Sequence, residues 1–279
     1  MEEALTPSAL KRALYAPFRA LTRLAARRAA AVVATDRVLE PVVESILGVP
    51  RARVLVIPNA IDVAQCVAQN DDGLAAELLA RLGAGDAAPR IVTVGRLAPN
   101  KGLEVGLRAL AAAATRLPSS WRWIVVGEGP LCGALERTIR ELGLEGHVRL
   151  AGKVSDREMH TLLAHADLFL NPTLYEGSSL VTLEAMSHGC AIVASRAGGI
   201  PDKIEEGETG WLAEPGDPAA LADAIGRWSA ASEEERTRVR RGAAARCRER
   251  FDWPVCVDRY VEAIDRLSAA AGIEGTRNG

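Results

Sequence analysis

The sequence is short of the residues that mark most specialised chemistry. It has four histidines, and none sits at a metal-ligand spacing; His160 and His165, five apart, point to different sides of a helix. No Asp-x-Asp pair occurs, so nothing in the residue order suggests a dedicated divalent-cation site. Five cysteines, Cys66, Cys132, Cys190, Cys247 and Cys256, are scattered and never form a Cys-x-x-Cys pair. They read as buried thiols of a reducing compartment. A net charge of -2 leaves no basic excess to neutralise a phosphate backbone, which argues against a nucleic-acid partner. The start, MEEALTPSALKR, lacks the order of a signal peptide, and no apolar run is long enough to span a bilayer. The expected compartment is the cytoplasm.

What is present is an ordinary globular composition, 48% hydrophobic and 25% charged over 279 residues. From residue 91 onward short β-rich runs alternate with longer helical patterns. The runs are IVTVG (91–95), WRWIVVGEG (121–129), VRLAG (148–152), LFLNPT (168–173), AIVAS (191–195) and TGWLAE (209–214). Helical stretches fall at about 102–116, 130–143, 156–166, 179–188 and 201–206. Strands apolar on both faces, alternating with helices, imply an α/β class with a parallel sheet covered on both sides. Right-handed crossovers then give a doubly wound, Rossmann-like domain. After Pro218 three helices are expected, PAALADAIGRWS, EEERTRVRRGAAARCRER and WPVCVDRYVEAIDRLSAA, with Pro254 at a helix start.

The first 62 residues differ. A helical stretch (8–30) leads to the strand AAVVAT, the helix DRVLEPVVESIL and the strand RVLVIPN. Two αβ units are too few for a sheet with its own core. A polar connector with one helix, about 71–82, follows. The 8–30 stretch carries Lys11, Arg12, Arg19, Arg23, Arg27 and Arg28 opposite Leu10, Leu14, Phe18, Leu21 and Leu24. Such a helix suits either a solvated basic face or peripheral contact with an anionic membrane, at its inner face.

Ligands of open parallel sheets bind beyond the carboxyl ends of the strands. After the first run comes GRLAPNKG, which offers Arg96 and Lys101 to a diphosphate; the alternative is two surface charges. VGEGPLCG fails the dinucleotide fingerprint, since Gly129 and Gly133 are four apart. GKVSD could meet a base through backbone groups. In YEGSSLVTLEAM, Gly177, Ser178 and Ser179 lead into a helix whose free N–H groups suit an anion. Leu180, Leu183 and Glu184 share one side of that helix, so Glu184 borders the buried face. An ionised carboxylate there needs partners. A ribose diol could supply them, or an arginine or backbone N–H in the core. Glu176 would reach a second polyol beyond the phosphates.

These stretches together resemble the retaining glycosyltransferases of family 4, which have the GT-B fold of two facing Rossmann-like domains. The resemblance runs through AAVVATDRVLE, RVLVIPNAID, VGRLAPNKG, VVGEGP, LAGKVSDREM, ADLFLNPTLYEGSSLVTLEAM, GCAIVASRAGGIPD, GETGWLAEPGD and RERFDWPVCVDRY. The E-x7-E pair, Glu176 and Glu184, is its most specific part.

The resemblance implies transfer of a hexosyl unit from a nucleotide-sugar donor, UDP- or GDP-linked, with retention and without metal or other cofactor. Arg96 and Lys101 would hold the diphosphate, and Glu176 the transferred sugar. Glu184 would take the ribose, backbone groups from Gly177 to Leu180 the sugar and phosphates, and the loop at Val154 and Asp156 the base. The acceptor would be a glycan or glycolipid of the cell envelope. The implied division is 1–62, a remnant of an acceptor-side domain; 63–253, the donor domain; and 254–279, a helix crossing back. The sequence departs from the family's pattern at Ser178 and Ser179, at Ala60 for glycine and at Asp202 for glutamate. It also has no glycine before Gly48 and no histidine before His147. The missing amino-terminal glycine and histidine imply dependence on a separate amino-terminal half, or on self-association, for turnover; the alternative is a donor-binding module without catalysis.

Overall fold

The computed structural model describes residues 15–272. Two compact units emerge. One holds the described residues up to Asn59 and from Trp253 on, and the other is Ala60–Asp252.

The first unit contains α1 (Ala16–Arg28) and two short parallel strands, β1 (Val32–Ala34) and β2 (Val54–Val56), paired from Val32↔Val54 to Ala34↔Val56. Arg23 Nε donates to Ile46 O at 2.6 Å, and Arg53 Nη1 donates to Arg27 O and Ala29 O at 3.0 Å. Residues 8–14 of the expected first helix lie outside the described residues. The helix expected from DRVLEPVVESIL is instead broken into a 3-10 turn (Arg37–Leu39), one α turn (Glu40–Val42) and a π turn (Val43–Leu47). Pro41 is the cause, because it has no N–H to continue the ladder and crowds the preceding turn. Phe18, Leu21 and Leu24 of α1 are exposed, as are Trp253, Val257, Val261 and Ile264 of α11 (Trp253–Ala270).

The second unit begins with α2 (Val63–Ala68), a short helix not expected in the connector. Asp62 caps it, its carboxylate accepting from Gln65 N at 2.8 Å. Then come α3 (Asp72–Arg81), β3 (Arg90–Val94), α4 (Leu103–Ala113), β4 (Arg122–Val126), α5 (Cys132–Glu141) and β5 (Val148–Gly152). The second half is α6 (Asp156–Ala164), β6 (Leu168–Asn171), α7 (Leu180–Ser187), β7 (Ala191–Ser195), α8 (Ile200–Lys203), β8 (Trp211–Ala213), α9 (Pro218–Ala230) and α10 (Glu233–Phe251). All six strands are parallel, in the order β5-β4-β3-β6-β7-β8.

Alternate side chains of these strands enter two cores. Trp123 and Val125 join Leu107, Leu110, Ile225 and Trp228 on one face. Ile124 joins Phe169, Leu162, Leu183, Met186 and Phe251 on the other. This is the period-two alternation of a strand buried on both sides. The fold is the α/β, doubly wound parallel sheet that the alternating runs imply. Strand order reverses between β3 and β6, which grew outward from a shared centre. A crevice for ligands opens at such a switch point, beyond the carboxyl ends of the two strands.

Candidate functional site

The loops leaving β3 and β6 meet at that switch point. Asn100, in the first loop, ties them. Its carbonyl accepts from Leu174 N at 2.8 Å and Tyr175 N at 3.3 Å, and Thr173 Oγ1 lies 2.8 Å away. Its side-chain Nδ2 donates to Tyr175 O at 3.3 Å. Gly102, with φ 60°, allows the approach, because a Cβ there would stand 2.1 Å from Pro172 O. The next loop does the same from the other side. A Cβ on Gly198, φ 53°, would stand 1.6 Å from Glu176 O, and Gly199 N donates to Gly177 O at 3.1 Å. The chain from Pro172 to Ser179 is therefore clamped between two neighbours by backbone contacts.

Within this frame Lys101 and Glu176 form a half-buried ion pair, Nζ to Oε2 at 2.5 Å. Arg96 is exposed on the β3 loop. Ser179 is the N-cap of α7, yet its side chain makes no cap bond. Its Oγ instead faces Thr182 Oγ1 at 2.9 Å and Asn171 Nδ2 at 3.4 Å. The first-turn N–H groups of α7 thus keep their dipole directed outward, as an anion site requires.

Glu184 lies one turn further along α7. It is half-buried, and among the described residues its carboxylate has no hydrogen bond or ion pair. Burial, and then the nearby charge of Asp156, push its pKa up. The alternative partners, an arginine or backbone N–H in the core, are not found among the described residues. The expected one-sided helix also needs correction. Thr182, Leu183, Ala185, Met186 and Ser187 are all buried, so α7 is enclosed nearly all round, whereas Leu180 is 43% exposed at its start.

Asp156 opens α6, whose start is fixed by a capping box between Ser155 and Glu158. Val154 packs partly buried beside it. The structure thus brings Asp156 towards Glu184, and Lys101 onto Glu176, while Arg96 stays solvated.

Sequence reasoning missed a second link between α6 and α7. His160 Nδ1 lies 2.9 Å from His188 Nε2, one turn beyond Asp156 and Glu184 respectively. Burial lowers both pKa values, that of His188 to about 4, with His160 and His165 adding to the effect there. Twenty-eight residues separate the two histidines, so no local spacing signals them. Asn100 and Lys203 were also missed, since the partners they bond, Tyr175 and Ser178, are distant in the sequence. Of the five thiols, Cys132 is only half-buried; the other four are buried, and burial pushes the Cys66, Cys190 and Cys247 thiols up to between about 11 and about 12. They are inert packing groups. Another concavity, of about 430 Å³, opens at the amino ends of β3, β4 and β6 beside Trp228, Arg236 and Arg240. Its arginines already donate to carbonyls of Ala231 and Gly189, and the loops that converge chemically lie at the opposite ends of the strands.

Known proteins share this fold. Anabaena Alr3699/HepE, solved in complex with UDP, superposes with a TM-score of 0.78 at 26% identity, covering 89% of this chain and 67% of that one. The amylovoran biosynthesis glycosyltransferase AmsK of Erwinia amylovora is 32% identical over 185 residues, 64% of this chain and 45% of that protein. The GDP-mannose-dependent alpha-(1-6)-phosphatidylinositol monomannoside mannosyltransferase of Mycolicibacterium smegmatis is 32% identical over 184 residues, 63% of this chain and 47% of that protein. The chain spans about half the length of the curated relatives it matches. Residues 88–230, which include the β3 loop, the β6 loop and α7, match the profile of the glycosyl transferases group 1. The chain belongs to that family.

Proposed function

We propose that the Ala60–Asp252 unit is the donor site of a retaining family 4 glycosyltransferase moving a hexosyl unit from a nucleotide sugar to a glycan or lipid-linked acceptor. The observation that carries this reading is Glu184. A half-buried carboxylate without a partner among the described residues is a standing electrostatic cost in the free protein. A ribose removes it by donating two hydroxyl hydrogens to the two carboxylate oxygens.

The rest of the site follows from charge. Arg96, Lys101 and the first turn of α7 surround the position where the departing diphosphate gains negative charge, and such donors act most strongly there. Lys101 is neutralised by Glu176 in the free protein. An arriving diphosphate competes for the ammonium, and Glu176 is released to accept hydroxyls of the transferred sugar. The reading assigns leaving-group stabilisation to these cations and no metal. Val154 and Asp156 border the base. Use of UDP is supported by the UDP complex of the Anabaena relative, and action in envelope glycan or glycolipid synthesis by the names of the curated relatives.

A second reading is donor binding without turnover until another polypeptide is bound. The exposed apolar side chains of α1 and α11 favour it, being surfaces that a partner would cover. Among the described residues no helix is long and apolar enough to cross a membrane; the arginines of α1 keep peripheral contact with an anionic surface within the proposal.

Titration calorimetry with UDP, GDP and ADP tests the donor site. One of the three is expected to bind with heat release, and an acceptor added with the matching nucleotide sugar separates the two readings by mass. Folded protein that takes none of the three nucleotides sinks the assignment.

A further inference from the structure

Lys203 ends α8 and is 0% exposed, a rare position for lysine. Its Nζ lies 3.3 Å from Ser178 Oγ and 3.3 Å from Gly199 O, and 5.9 Å from the centroid of the Phe251 ring. Its backbone is fixed in turn. Arg246 Nε donates to Lys203 O at 2.7 Å, and Arg246 Nη2 donates to Asp202 O at 2.9 Å. An apolar side chain would fill the same space without the desolvation that a buried ammonium incurs. Unlike an apolar residue, a lysine here also fixes the polarity of the hydrogen bonds it makes.

An ammonium has donors and no acceptor, whereas a hydroxyl can be either. Between Lys203 and Ser178 the lysine must donate and Ser178 Oγ must accept. The Ser178 hydroxyl hydrogen is then directed away from Lys203. Ser178 is only half-buried, two residues after Glu176 and two before the first residue of α7. Its remaining hydrogen is available to an acceptor in the crevice.

We propose that Lys203 is a positioning residue for the donor site, fixing the Ser178 hydroxyl as a hydrogen-bond donor to an oxygen of the diphosphate–sugar part of the ligand. The inference rests on the donor-site reading and adds to it a residue that touches no ligand. Ser178 provides the contact, and Lys203 provides its direction. By bridging Ser178 and Gly199, Lys203 also holds the loop after β6 on the loop after β7, where Gly198 already abuts Glu176.

A double-mutant cycle tests the inference. Lys203→Met, Ser178→Ala and the double variant are titrated with UMP, UDP and UDP-glucose, or with the guanosine or adenosine set if the wild type selects that base. Each single substitution is expected to weaken the nucleotide sugar about tenfold, as loss of one charge-assisted hydrogen bond does. The double variant should be no weaker than Lys203→Met alone, because the effect of the lysine on the ligand passes through Ser178. The monophosphate should bind all four proteins equally, which a merely structural lysine would not permit. Loss shared by UDP and UDP-glucose places the accepted oxygen on the diphosphate; loss confined to UDP-glucose places it on the sugar. Lys203→Gln, which can donate without charge, should recover part of the affinity.

Additive losses in the double variant, or equal losses for UMP and UDP-glucose, overturn the inference. So does a Ser178→Ala protein that binds UDP-glucose like wild type, a result that needs no substitution in the core. A wild type that binds no nucleotide defeats the donor-site reading instead. Hydrogen exchange then decides the positioning alone: amides of residues 176–182 should exchange faster in Lys203→Met at unchanged midpoint of unfolding, and unchanged exchange refutes it.

Discussion

Glu176 and Glu184 stand eight residues apart and are held in opposite ways. The first lies on a loop that is over-determined: Asn100 bonds it from one side, Gly198 abuts it from the other, and Lys101 neutralises its charge. The second lies on a regular helix whose surroundings are closely packed, yet its own charge is left without a partner among the described residues. The loop spends interactions on placing a backbone. The helix comes ready-made from hydrogen bonding and burial, and so can carry an uncompensated group. Irregular backbone has to be fixed residue by residue, whereas a helix fixes a side chain's direction for free.

The comparison is broken most severely at Gly198. Alanine there needs both a left-handed backbone and a Cβ at 1.6 Å from Glu176 O. The expected loss is about 2–5 kcal/mol of unfolding free energy, read from urea denaturation. Gly177→Ala is the control, since nothing lies within 4 Å of its Cβ position; it should change stability by less than about 1 kcal/mol. Equal behaviour of the two alanine variants would mean that the clamp does not hold the loop.

Glu184→Gln sharpens the contrast from the helix side, with opposite effects on stability and binding. The Glu184 pKa is raised in the fold, so its contribution to stability is present at acid pH and is lost as pH rises above about 4.5, the ordinary carboxyl value, through its folded value. Glutamine removes that loss, and the free variant should melt higher than wild type at neutral pH. Nucleotide binding should nevertheless weaken by about 1.5–3 kcal/mol, the worth of charge-assisted hydrogen bonds. Wild-type affinity should fall as pH drops through the raised pKa, while the variant's stays level in that window. Calorimetry across pH, paired with thermal melts, reads both. A variant that melts lower and binds as before would remove the ribose role.

Glu176→Gln has the smallest expected effect. It frees Lys101 for the diphosphate and removes the charge and one of the two sugar-facing acceptor oxygens. The nucleoside diphosphate should bind as well as in wild type or slightly better, and the nucleotide sugar should lose about 1 kcal/mol. Parallel losses for the two ligands would contradict the division between sugar and ribose.

The sequence disclosed the frame more readily than the ties within it. Ala191–Ser195 is five residues long and buried throughout, and such a run between helical patterns has few readings other than a parallel strand. Glu184 stood out because its immediate neighbours, Leu183, Ala185 and Met186, are apolar. Pro41 was a visible helix breaker whose effect the apolar pattern around it masked. The unreadable features join distant residues: Asn100 to Tyr175, Lys203 to Ser178 and His160 to His188. Each pair needs the sheet order before it can be drawn. Brevity also hid α2, whose six residues are too few to show a helical period until Asp62 is seen to cap them.

The Asn100 tie bears on how such a site can diversify. Leu174 and Tyr175 are held through backbone N–H groups converging on one backbone carbonyl, with the Thr173 hydroxyl beside them. Backbone groups are indifferent to which side chains the loop carries. The side chains of Leu174 and Tyr175 can therefore be exchanged without moving the peptide on which Glu176 is mounted. Selection can explore new donors by altering two side chains while the geometry of the departing phosphate is inherited unchanged. A locked frame in this position is a source of evolvability, because it confines the effect of each substitution to the ligand it meets.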